Sequence, residues 1–350
     1  MEVDPSCMPT KRRTQKAQSI TSVSKVAGVS IATVSRVLNG HPHVAEATVR
    51  SVQEAMKKVG YIPREAGSRA TNSGGTGNIA VLFPDVNQEA LRTTLSGQLL
   101  QGIVEALRQN GVTMVVTCSP PDRSIPACIE QRKVDGVIIR GSRVTFELAS
   151  LVKSIPCVWV FEAGYQSNFD VDMILEDNAA IGSMAANWLV KRGYKSLVVL
   201  DPIPQHPSFR VRKLFFGDAA AQLGVSVKTF NVTGDDLSEQ VDQILQMRDR
   251  PLGIFMPGGD DQIVHAYRQM QSRGLELCRD FELICCNNDQ HRLAALDPRL
   301  PNIDIQPELI GRCAVDALVW RLHHPDEERR RMVVSPKIIE GSPTPAATIA

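Results

Sequence analysis

The chain has 350 residues, 43% of them hydrophobic and 22% charged, with a formal net charge of +1. No apolar run approaches the roughly 20 residues of a membrane-spanning helix, and residues 1–20 are polar and basic without an apolar centre, so neither a membrane span nor a signal peptide is read. Eight cysteines with no Cys-x-x-Cys pair form neither a disulfide framework nor a zinc site, which predicts buried free thiols in a reducing, cytoplasmic setting.

The near-neutral total hides an asymmetry. Residues 1–70 carry eleven Lys/Arg against five Asp/Glu, a net of +6, and the remainder carries 28 against 33, a net of −5. A basic head on an acidic body is expected when only one end of a chain meets phosphate. Lys11 to Lys16 fit a disordered basic tail, residues 1–17, but the residues after the tail are periodic. A short helix near Ser19–Val26 places Ile20 and Val23 on one face. Gly28 suits the positive φ that ends a helix, and Ser30 is a good N-cap for the next one. On that second helix Val34 and Val37 point inward, leaving Thr33 and Arg36 for base edges or phosphates. After Gly40-His41-Pro42-His43 a third helix sets Val49, Val52, Met56 and Val59 at spacings of three, four and three. An amphipathic helix after a Gly-Val-Ser turn also occurs in many proteins that never meet DNA. Three such helices in about 45 residues suit a small helix-turn-helix headpiece.

Val23 to Asn39 resemble the headpiece of the LacI/GalR family of bacterial transcriptional regulators, in Ala27-Gly28-Val29-Ser30 and Ala32-Thr33-Val34-Ser35-Arg36-Val37-Leu38-Asn39. The likeness continues through His43-Val44 and Gly60-Tyr61-Ile62-Pro63, some 45 positions in order. It implies that Ser30, Ile31, Ala32, Ser35 and Arg36 face bases and backbone, and that Thr33, Asn39 and His43 hold phosphates or sugars. Ile31 and Ala32 are apolar, so direct contact favours thymine methyl groups, with Arg36 the expected guanine reader.

The chain departs from the family in the hinge. The resemblance implies a short helix after Pro63 that inserts a leucine into the minor groove, but here Gly67 and Ala70 replace the usual alanine and leucine. Glycine costs about 1 kcal/mol in a helix interior and alanine is no wedge. A weaker hinge helix and less kinking are expected, with Arg64 and Arg69 near phosphates or in the minor groove. The headpiece is placed at 18–60 and the hinge and linker at 61–77.

Beyond residue 78, β-branched runs at Ile79–Phe83, Val112–Thr117, Gly136–Arg140, Cys157–Phe161, Ser196–Leu200, Gly253–Met256 and Leu283–Cys286 alternate with helical patterns at 97–109, 178–192, 212–223, 238–248 and 260–273. Such alternation implies parallel sheets with helices on both faces, and residues 78–342 are long enough for two lobes. This region resembles a periplasmic-binding-protein-like sensor of two Rossmann-like lobes joined by three crossings. Glu176-Asp177-Asn178-Ala179-Ala180-Ile181-Gly182 and Pro307-Glu308-Leu309-Ile310-Gly311 are similar to the sensors of xylose-operon-type regulators. The expected fold is therefore an all-α headpiece on a two-lobed α/β sensor, with a tail from 343 to 350.

Ligands of such folds sit at the carboxyl ends of strands. Asp85, Arg140, Glu162, Arg212, Asp260 and Asn287 fall there, and Arg212 aligns with the arginine that family members use to hold effector groups. Each is explained equally well as a helix cap or surface charge; as a set they favour a polar, neutral or mildly anionic ligand. Sugar is the family-weighted expectation, with a nucleobase or sugar acid as alternatives, since Phe215, Gly259 and Asn287 depart from the usual pocket.

No phosphate loop, His-Glu-x-x-His pair or Gly-x-Ser-x-Gly elbow is present, so no catalytic residue, metal or cofactor is expected and the chain is not read as an enzyme. A solute-binding protein would leave the headpiece unexplained, and an architectural DNA-binding protein would leave the sensor unexplained. The reading is a cytoplasmic, nucleoid-associated repressor acting as a homodimer on a pseudo-palindromic double-stranded operator, with a sugar-like effector altering affinity and no membrane partner. Leu95, Leu99 and Leu100 suit either a dimer face or the core. The Pro/Ala-rich end, Ser342 to Ala350, has no leucine heptad, so neither a tetramerising coiled coil nor a second DNA-binding domain is expected.

Overall fold

The computed structural model describes residues 20–38, 44–59, 75–84, 93–119, 125–141, 146–161, 170–232, 237–258, 260–287, 289–294 and 296–342. The expectations for the tails, for the hinge including Gly67 and Ala70, and for Asn39, His43, Arg64, Arg69, Asp85 and Glu162 lie outside the described residues. So do the side chains of Ala32, Ser35 and Asp260. The chain divides into two units, residues 1–67 and 68–350.

In the first unit the helices are α1 (Ile20–Ala27), α2 (Ile31–Leu38) and α3 (Glu46–Val59). Gly28 takes φ +67°, and the Val29 N–H donates to the Ser24 carbonyl at 3.2 Å. This glycine-terminated closure is what stops α1 and turns the chain. Ser30 Oγ then accepts from the Thr33 N–H at 3.1 Å, capping α2 as expected. Val23, Val34 and Val52 are fully buried with Ala55, and Ala27, Val29, Val37 and Met56 pack around them.

The second unit opens with β1 (Asn78–Phe83), α4 (Thr94–Gln109), β2 (Thr113–Cys118), α5 (Ala127–Glu130), β3 (Gly136–Arg140), α6 (Phe146–Ser154), β4 (Cys157–Val160) and β5 (Asp172–Glu176). The chain continues through α7 (Asn178–Lys191), β6 (Ser196–Asp201), α8 (Pro207–Gln222), β7 (Val227–Asn231), α9 (Ser238–Leu245), β8 (Leu252–Phe255), α10 (Asp260–Ser272), β9 (Phe281–Cys286), α11 (Gln290–Leu293) and β10 (Asn302–Asp304). It ends with α12 (Pro307–His323), β11 (Arg331–Val334) and β12 (Lys337–Ile339).

Two six-stranded sheets result, ordered β11-β5-β4-β3-β1-β2 and β12-β10-β9-β8-β6-β7. Every pairing is parallel except that of β12 with β10. The chain passes between the lobes at Asp177, at Ile305–Gln306 and at Ser335–Pro336, the three crossings expected. One core runs continuously from Ile79 and Val81 of the first lobe to Val199 and Phe255 of the second. The outer faces have their own cores, around Ile139 and Trp159 in one lobe and Leu200 and Tyr267 in the other. Helix pairs α4–α12 and α7–α8 pack tightly. A Cβ at Gly182 would overlap the Arg212 carbonyl, so glycine is what lets α7 approach α8.

The structure corrects several expectations. Helices read from 97 and 212 begin at Thr94 and Pro207, the first capped by Thr93 Oγ1, which accepts from Ser96 N at 3.2 Å, the second opened by a proline. Strand β5 lay hidden because its flanking acids are buried: Arg321 Nε donates to Asp172 Oδ2 at 2.6 Å, neutralising the charge that marks a loop. Leu99 is fully buried core and Leu95 faces a cavity, so neither forms a dimer face. Among the described residues, no helix is long and apolar enough to cross a membrane.

Candidate functional site

Two surfaces carry chemistry. On the headpiece, Ser30, Ile31 and Arg36 are exposed along one short helix, Ile31 with 48% of its surface accessible. A single exposed apolar side chain is ordinary by itself, and Val26 is 51% exposed on the same headpiece; Ile31 gains weight from standing beside Ser30 and Arg36. Thr33 is half-buried, its hydroxyl 2.9 Å from Ser30 Oγ. Residues 20–38 and 44–59 contain five Lys/Arg and two Asp/Glu, so the described helices remain basic without the tail.

The second site is a cavity of about 100 Å³ at the carboxyl ends of strands from both sheets. Arg140 ends β3, Phe161 follows β4, Glu176 ends β5, Asn287 follows β9 and Ile305 follows β10. His206, Ser208, Phe209 and Arg212 enter from the start of α8, and Leu95 from the start of α4. Phe161 and Asn287 adopt φ of +66° and +78°. Left-handed backbone at a bulky phenylalanine is strained, and such strain concentrates where side chains are held for a purpose.

Arg212 is the hub, with 2% of its surface exposed. Its Nε donates to Asn178 Oδ1 at 2.8 Å, and its Nη1 to the Pro257 carbonyl at 2.6 Å and to Asn287 Oδ1 at 3.4 Å. Its Nη2 lies 3.8 Å from Glu176 Oε1. That oxygen also accepts from Ser208 Oγ at 2.9 Å and from Asn178 Nδ2 at 3.2 Å. The His206 ring stacks on Phe209 with centroids 4.3 Å apart. Burial, aided by the charges of Arg212 and Arg140, pulls the His206 pKa down to about 4, so the ring is neutral at pH 7. Glu176 Oε2 and His206 Nδ1 are buried without a hydrogen-bond partner among the described residues.

The structure thus brings Arg140, Arg212 and Asn287 together on one cavity. Glu176, His206, Ser208 and Asn178 were not singled out as site residues, because the contacts that give them meaning join distant positions, as Glu176 with Ser208, 32 apart, and Asn178 with Arg212, 34 apart. The one signal in the sequence was an acid ending the apolar run Met173-Ile174-Leu175. Phe215 is 37% exposed. A larger hollow of about 760 Å³ lies at the opposite, amino-terminal edge of β3 and β4, between α5 and α6. Its wall mixes Ile125, Ile129, Val134, Leu151, Ile155 and Pro156 with Glu130, Arg132, Asp135, Glu147, Ser150 and Ser154, and unlike the smaller cavity it draws on one lobe alone.

Residues 19–64 match the family described as bacterial regulatory proteins, lacI family, and residues 186–344 match a periplasmic binding protein-like domain. The HTH-type transcriptional repressor PurR of Pectobacterium atrosepticum is 28% identical over 334 residues, covering 92% of this chain and 95% of that one. The ribose operon repressor of Escherichia coli is 25% identical over 334 residues, covering 91% and 97%. Neither is a xylose-operon regulator. The lac repressor dimer bound to operator and the anti-inducer ONPF shares the fold, with a TM-score of 0.64 at 18% identity over 92% of this chain and 98% of that one.

Proposed function

Because the chain belongs to the lacI family of bacterial regulatory proteins, which are DNA-binding transcriptional regulators and not enzymes, we propose that it is a ligand-responsive repressor acting as a homodimer on a pseudo-palindromic operator. Its effector is a small, polar, sugar-like molecule held between the sensor lobes. The headpiece reads DNA through Ser30, Ile31, Ala32, Ser35 and Arg36, and a single recognition helix reads too few base pairs alone, which favours a two-fold dimer.

The observation that carries the effector reading is the size and lining of the cleft. At about 100 Å³ it is well below the ~300–1,000 Å³ of ordinary ligand pockets. A sugar therefore enters only as the lobes part, and ligand binding and lobe geometry become one equilibrium. Val104 and Val116 on β1-α4-β2, and Leu214, Phe215 and Leu223 on the corresponding β6-α8-β7 unit, are exposed apolar residues suited to a second copy. The stacked His206–Phe209 pair and Phe161 also suit a flat nitrogen heterocycle, the second reading.

A mobility-shift assay of the full chain on operator DNA, with pentoses, hexoses and nucleobases added singly, tests this. The expected result is one compound that changes operator affinity by about 5- to 150-fold, the usual range of allosteric coupling. A compound that binds without changing DNA affinity contradicts the coupling, and absence of sequence-specific binding contradicts the function.

A further inference from the structure

Within the cleft, the surroundings of Arg212 decide which ligand group can sit beside it. An arginine recognises a carboxylate or phosphate by presenting two N–H groups in a fork. In this protein Nε and Nη1 of Arg212 already donate to Asn178, Pro257 and Asn287. The remaining nitrogen, Nη2, is directed at Glu176. The carboxylate is supplied by the chain itself, from a side chain only 3% exposed. Ser208 and Asn178 fix Glu176 by its Oε1, leaving Oε2 buried at the cavity and without a donor among the described residues. A buried acceptor of that kind costs free energy until something donates to it. An incoming carboxylate group cannot donate to it, and placed beside Oε2 it adds like-charge repulsion where water screens little. An O–H or N–H group satisfies it.

We infer that Glu176 is a specificity-determining residue that fills the anion position beside Arg212, admitting an uncharged hydrogen-bond donor as effector and excluding carboxylates and phosphates. The inference rests on the cleft being the effector site, the reading proposed for it, and it bars the carboxylate of a sugar acid from the place beside Arg212. Leu95, Phe161 and Ile305 add apolar wall, and Arg140 and His206 line the same cavity; among the described residues none of them donates to Oε2. Asp177 and Asn178 come directly after Glu176 at the first crossing between lobes. A donor that engages Oε2 therefore acts at the point where the lobes are joined.

The test is thermal unfolding of the full chain in sodium formate against sodium chloride at equal ionic strength, formate being small enough for a cavity of about 100 Å³. The natural chain should show no formate-specific rise in melting temperature. Glu176→Gln keeps the size of the side chain and an acceptor for Ser208, and it should show a saturable rise of several degrees because Arg212 is now open to an anion. Glu176→Ala should do the same. Adding Arg212→Met to Glu176→Gln should abolish the rise. A saturable formate effect on the natural chain overturns the inference. So does its absence from the Glu176 variants, or its survival in the double variant. The readout uses neither DNA nor effector, so a failed operator assay and a failed formate assay are separate results.

Discussion

The headpiece and the sensor place their working residues in opposite ways. The headpiece, on a core of Val23, Val34, Val52 and Ala55, exposes Ile31 and Arg36 from one eight-residue helix. The sensor, with three larger cores, buries Arg212 and Glu176 almost completely and draws their partners from both sheets. Groups that meet a macromolecule must project from a small scaffold. Groups that must tell one small polar ligand from another need a dry setting, where a missing partner is costly until the ligand supplies it.

Substitution can break this contrast. Arg212→Ala should have the largest effect, about 3–5 kcal/mol lost from the sensor, because it takes the ion-pair partner from the Glu176 carboxylate, buried beside Ser208 and Asn178. Urea unfolding measures it, and a loss below about 1 kcal/mol would mean that the pair is not truly dry.

Acid should act on the same lobe. His206 has a folded pKa of about 4 against an ordinary 6.5. As pH falls through 6.5 the unfolded chain takes up the proton while the folded ring stays neutral, so stability declines down to about pH 4 and levels off below. The loss is about 3 kcal/mol at ~1.4 kcal/mol per unit. His206→Gln should flatten this slope in unfolding experiments between about pH 7 and 4.

Arg36→Ala should lower operator affinity by about 1–3 kcal/mol, the worth of one good base contact, and leave sensor unfolding unchanged. Ser30→Ala removes the α2 cap and should cost the headpiece about 1 kcal/mol, visible as loss of helical signal at lower temperature. If either change altered sensor unfolding as much as headpiece behaviour, the two regions would not be energetically separate.

The same contrast explains what was legible in the sequence. Gly28 and Ser30 act on backbone groups within five positions, so turn and cap could be read directly. Strands such as Gly136–Arg140 announced themselves by continuous apolar runs. Edge strand β7, largely exposed, carries no such run, and edge strand β11 has only Met332-Val333-Val334 after a run of arginines. The long helix α12 is packed against α4, β3, β4 and β5, so its apolar residues lack a single stripe. Arg140, Arg212 and Asn287 could be placed at strand ends by alternation alone. Glu176 could not, because its role depends on which side chains the second lobe folds against it.

Whether the chain is a two-fold, sequence-specific DNA reader is decided by selecting binding sites for the full chain from random-sequence double-stranded DNA. A single inverted repeat should be enriched, with half-sites related by a two-fold axis and the enrichment lost in Arg36→Ala. Recovery of an unrelated mixture of sequences, or of a single unrepeated half-site, would contradict that reading.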